Sequence, residues 1–106
     1  MASHPDFVEY VAEQMQQAGS IRSKKMFGEY GLYCDGVFFA VICDDQLFVK
    51  ITPQSEADFP DLPKAPPYAG ARDYFLVEDV DDRERLMKLV RITCEALMLQ
   101  PKKRRK

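Results

Sequence analysis

From residue 5 to residue 18 the apolar positions recur at helical intervals, with Phe7, Val8, Val11, Met15 and Ala18 spaced three, four or seven apart. The spacing predicts an amphipathic helix over residues 3–18, with Ser3 as its cap, Pro5 in its first turn, Asp6 completing a capping box and Gly19 marking its end. From residue 21 the period shortens to that of strands, at about 21–27, 30–34, 37–43 and 46–51. Asp35-Gly36 has the composition of a two-residue hairpin tip in which both residues take positive φ, and Asp44-Asp45 is a weaker second turn. Those tips set Cys34 opposite Val37, Tyr33 opposite Phe38, Leu32 opposite Phe39, Ile42 opposite Leu47 and Ala40 opposite Val49. One face then carries Tyr33, Phe38, Ala40, Ile42, Leu47, Val49 and Ile51 and is the expected core face. The other carries Leu32, Cys34, Val37, Phe39, Val41 and Phe48, too apolar for a face left in water, so a cover for it is expected.

Residues 52–72 hold five of the seven prolines. Thr52 and Pro53 can open one or two helical turns, and from Pro60 the chain reads as a semi-rigid surface loop, since proline interrupts both helix and central strand. Residues 73–79 read as a fifth strand. A last helix, capped by Asp79 or Asp81, runs to about Leu99 with Leu86, Leu89, Val90, Cys94, Leu97 and Met98 on its apolar stripe. The expected fold is α+β: an antiparallel β-meander of about five strands flanked on one side by an N-terminal and a C-terminal helix. Residues 1–100 form the domain and 101–106 a disordered basic tail.

Charge sharpens this division. The net charge of −2 includes Lys102, Lys103, Arg104, Arg105 and Lys106; without them ten cations face seventeen carboxylates, a net −7. An acidic body repels phosphate while the tail attracts it, so nucleic-acid affinity is expected mainly from those five residues, as a weak, salt-sensitive contact without sequence selectivity. Three cysteines with no C-x-x-C spacing, no secretory signal and no membrane-length apolar run point to a cytoplasmic protein with reduced thiols.

Candidate chemistry is sparse. His4 stands alone near the N-terminus without ligand spacing to any cysteine, so no metal or cofactor is expected. Cys34, Cys43 and Cys94 fall at packing positions with no cation to lower their pKa, no G-x-S-x-G elbow is present, and the aspartates stand at turns and helix starts. No catalytic residue is assigned, and the chain is read as a non-enzyme without an evident small-molecule substrate. "GEYG" leads into a strand and lacks the phosphate-cradling count, so Gly28, Gly31, Asp35 and Gly36 are read as turn devices. Phe27, Tyr30, Tyr33, Phe38 and Phe39 admit a base-stacking reading, but with Lys24, Lys25 and Lys50 as the only sheet cations, packing outweighs it.

The string "KKMFGEYGLYCDGVFFAVICDDQLFVK" closely resembles the N-terminal domain of the TfoX/Sxy family of bacterial competence regulators, most strongly at Met26, Phe27, Gly28, Tyr30, Gly31, Asp35, Gly36, Phe39, Leu47 and Lys50. The resemblance spans residues 5–99 and implies an α+β domain with a role in transcriptional regulation through other proteins. Where full-length regulators continue into a helical C-terminal domain, "PKKRRK" is expected to make this chain a stand-alone N-terminal domain. The expected mechanism is docking of a protein partner or a second copy through Leu32, Phe39, Val41 and Phe48; the alternative is nucleic-acid contact through the tail.

Overall fold

A computed structural model describes residues 3–26 and 28–99. The chain runs α1 (Pro5–Gln14), a 3₁₀ turn (Gln16–Ala18), β1 (Ile21–Met26), β2 (Glu29–Cys34), β3 (Val37–Cys43), β4 (Gln46–Val49), α2 (Pro53–Asp58), β5 (Lys64–Ala65), β6 (Tyr74–Val77) and α3 (Arg83–Leu99). All strand pairs are antiparallel, in the order β1-β2-β3-β4-β6-β5. The α+β meander is therefore as expected, with six strands where five were anticipated. The additional one, β5, is a two-residue edge strand inside the proline-rich segment, and an edge is where a sheet tolerates proline.

Both hairpin tips are where residue type placed them. Asp35 and Gly36 have φ of 50° and 86°; Asp44 and Asp45 have 54° and 56°, although neither is glycine. The second tip is held from outside: the Asp44 N–H donates to Glu29 Oε2 and the Asp45 N–H to Ser3 Oγ, each at 2.9 Å. The His4 N–H in turn donates to Asp45 Oδ1 at 2.8 Å. Ser3 is thus committed to the turn and does not cap α1, whose N-cap is His4 without a side-chain bond. Likewise Asp82, and neither Asp79 nor Asp81, caps α3, its Oδ1 accepting from the Arg85 N–H at 3.2 Å. At α2, Thr52 and Ser55 form a reciprocal capping box, fully buried.

The principal departure is in β3. Tyr33 pairs with Phe38 as expected, but Leu32 pairs with Ala40, so Phe39 is an extra residue and the ladder carries a β-bulge. Against unbroken alternation the bulge exchanges the faces of Leu32, Tyr33, Cys34, Phe38 and Phe39, while Ala40, Ile42, Leu47 and Val49 keep the expected core side and Val41 and Phe48 the other. Phe39, Ala40 and Ile42 join Leu32, Cys34, Leu47 and Val49 beneath the helices, where Val8, Val11 and Met15 of α1 and Leu86, Leu89 and Val90 of α3 close the core. Phe38, Val41, Cys43 and Phe48 stand on the opposite, helix-free face with Ala65, Tyr74 and Leu76. The faces assigned from unbroken alternation are corrected accordingly.

Gln14 is a buried polar side chain on the helix side. Gln14 Nε2 donates to the Val80 carbonyl at 2.9 Å while its Oε1 accepts from Arg83 Nη2 at 3.0 Å, so the buried amide is satisfied at both ends and ties α1 to the start of α3. Among the described residues no helix is long and apolar enough to cross a membrane.

Candidate functional site

The residues expected to form a protein interface divide between the two faces. Leu32 and Phe39 are 0% exposed within the helix-side core and are removed from any contact surface. Val41 and Phe48 do lie on the helix-free face, but at 6% and 4% exposure they form its floor. Lys102, Lys103, Arg104, Arg105 and Lys106 lie outside the described residues, as does Phe27.

Of the residues read as turn devices, Gly28, Asp35 and Gly36 have positive φ, but Gly31 is corrected: it lies inside β2, paired with Lys24 and Val41. Its glycine has a packing reason. A Cβ there would come within 2.9 Å of both the Met26 sulfur and the Phe38 ring, so the bare backbone gives those side chains room to lie across the strand.

Register assembles the rest of the face. Arg22 pairs with Tyr33, which pairs with Phe38, their rings 5.4 Å apart between centroids. Lys50 continues the row, its N–H donating to the Phe39 carbonyl at 2.9 Å and its Nζ lying 4.7 Å from the Phe38 ring centre. Tyr74 stands opposite, one step from the Val49–Phe75 pair. Arg72, in the segment leading into β6, is close enough to both for its charge to act on them. Burial pushes the Lys50 ammonium below its usual pKa, and the Arg72 charge adds to this; burial likewise pushes Tyr74 up. Lys24, opposite Gly31, also belongs to this face.

Beside the row a cleft of about 760 Å³ opens between the sheet and the proline-rich loop. Met26, Tyr30, Phe38 and Val41 line its sheet side; Pro67 and Tyr68 come from the loop, Tyr68 being 63% exposed. Glu29 and Asp44 mark one end. Burial works to raise the Glu29 carboxyl, yet the N–H groups of Asp44 and Ser3 outweigh it and hold its pKa below the ordinary value. The three thiols are buried and burial raises the pKa of each, so none is primed as a nucleophile.

Sequence reading missed Arg22, Tyr74, Arg72 and Tyr68 as members of one surface. The only signal was parity: Arg22 and Lys24 are two apart along β1, which places them beside Tyr33 and Gly31 only once the pairing is known.

An uncharacterized 12.7 kDa protein in the trpE 5' region of Spirochaeta aurantia is 33% identical to this chain over 98 residues, covering 92% of this chain and 85% of that protein. The TfoX N-terminal domain family matches residues 13–97, from the end of α1 through nearly all of α3. With the whole meander, both hairpin tips and nearly all of α3 inside that span, the chain belongs to the TfoX N-terminal domain family.

Proposed function

We propose that the chain is a non-enzymatic regulatory module that works by holding a partner on its helix-free sheet face. The observation that carries this reading is the asymmetry of the sheet: α1 and α3 seal one side, while the other presents aromatic rims, cations and an open cleft. Membership of a family of regulatory domains supports it, and so does the burial of every thiol. The bulge narrows which residues can take part. A partner meets Tyr33, Phe38, Lys50, Tyr68 and Tyr74 over a floor of Val41 and Phe48, and it cannot reach Leu32 or Phe39.

The test is a transcript profile of cells lacking this chain, complemented by the wild type, by Tyr33→Asp, and by Lys88→Glu on the exposed surface of α3. The wild type and Lys88→Glu are expected to restore the profile and Tyr33→Asp to fail while remaining folded by circular dichroism. Full restoration by Tyr33→Asp, or a profile that does not change when the chain is deleted, would overturn the reading.

A further inference from the structure

The helix-free face sets cations beside its aromatic rings. Lys64 and Arg85 are in ion pairs with Glu56 and Asp61, Arg83 is bonded to Gln14, and Arg91 to the Gln17 carbonyl. Arg22, Lys24 and Lys50 share this face and, like Lys25 and Lys88 elsewhere, have no carboxylate partner among the described residues, and the Arg72 charge acts on Lys50 and Tyr74, in a body whose net charge without the tail is −7. They do not form a plain basic patch. Across the strands the order is Arg22, Tyr33, Phe38, Lys50, Tyr74, alternating charge with half-buried aromatic rings.

We propose that this row binds single-stranded nucleic acid, with bases stacking on Tyr33, Phe38 and Tyr74 and phosphates meeting Arg22, Lys24, Lys50 and Arg72. The inference rests on the reading of this face as the contact surface and names the partner. Aromatic platforms flanked by cations suit single strands because every base has a π-face and every nucleotide a charge. An acidic protein segment would use the cations but leave the line of rings without a role. Lys50, now over the Phe38 ring, transfers its ammonium to a phosphate as a base takes its place. Glu29 and Asp44 stand about 13 Å from the row, four residues along the strands at roughly 3.3 Å each. Their charge confines phosphate to the cationic end, and the cleft between them and the row can receive one splayed base against Tyr68. The tail cations supply a second, unspecific attraction, and the two sources separate in the test.

That test is fluorescence anisotropy with a fluorescein-labelled oligothymidylate of about 12 nucleotides, within the usual site size, using the full chain from about 50 to 200 mM salt. It is repeated on a full-length form carrying Lys102→Gln, Lys103→Gln, Arg104→Gln, Arg105→Gln and Lys106→Gln. In both backgrounds Tyr33→Leu and Tyr74→Leu are each expected to weaken binding about 5- to 150-fold, the range for loss of one stacked base. Arg22→Gln with Lys50→Gln is expected to reduce the salt slope by about 1.4, at about 0.7 per phosphate contact on a single strand. These variants change surface groups, and circular dichroism verifies that each is folded. Absence of binding at the lowest salt overturns the proposal, as does binding that ignores the face variants and disappears with the tail charges. If no binding is seen while Tyr33→Asp still fails in the transcript assay, the partner is a protein: the inference falls and the reading of the face stands.

Discussion

Phe38 and Phe39 are adjacent, equal in size and on opposite sides of the sheet, so truncating each in turn measures the bulge. Phe39 is 0% exposed in the helix-side core, where Phe39→Ala removes a large buried ring and leaves a cavity, a cost of about 3 to 5 kcal/mol. Phe38 is half-buried. Its losses are the contact with Lys50, about 0.5 to 1 kcal/mol, and the pairing with Tyr33, about 0.5 to 1.5 kcal/mol. Phe38→Ala is therefore expected to cost about 1 to 2.5 kcal/mol beyond the apolar contact its half-buried ring gives up, and less than Phe39→Ala because that ring is only partly covered. Urea unfolding followed by circular dichroism reads the difference. With a denaturant slope of about 1 to 3 kcal/mol/M, Phe39→Ala moves the midpoint by at least about 1 M and Phe38→Ala by less. A domain of this size has only about 5 to 15 kcal/mol to lose. Should Phe39→Ala not fold at all, Phe39→Leu supplies a milder comparison. If Phe38→Ala costs as much as Phe39→Ala, the extra residue has been misplaced and the two faces revert to unbroken alternation.

Three further outcomes are expected. Gly31→Ala forces the Met26 thioether and the Phe38 ring away from the strand and should destabilise by up to about 1 kcal/mol, since the flexible Met26 end can yield; a loss well above that in thermal unfolding would show that the two side chains are held in place. Glu29 has its folded pKa below its unfolded value near 4.5, so its contribution is fully present above that pH and is lost as pH falls through the folded value. Glu29→Gln should therefore lower stability at neutral pH and flatten the acid limb of a stability–pH curve, and an unchanged limb would refute the assignment. Thr93 is buried with a hydroxyl lacking a partner among the described residues, so Thr93→Val should leave stability unchanged or raise it by up to about 1 kcal/mol, whereas a clear loss in urea titration would reveal a bond made by that hydroxyl.

What the sequence determined by itself is what local chemistry can enforce. A helical stripe over Phe7 to Ala18, paired turn residues at Asp35-Gly36 and Asp44-Asp45, and the stripe from Leu86 to Leu97 specify the elements, their order and an antiparallel meander with helices at both ends. Even the register beyond the second turn, Ile42 with Leu47 and Ala40 with Val49, follows from the tip alone. The phase of β3 does not. All seven residues of Val37–Cys43 are apolar, so no polar position marks which side faces water, and nothing local shows that Phe39 is the extra residue. Only the packing of α1 and α3 decides it, by drawing Phe39, Ala40 and Ile42 to one side and leaving Phe38, Val41 and Cys43 on the other. The candidate site was illegible for a related reason. Counted along the chain, cations are outnumbered by carboxylates; strand pairing brings Arg22, Lys24 and Lys50 to one face beside Tyr33, Phe38 and Tyr74, and a juxtaposition of that kind belongs to the tertiary structure.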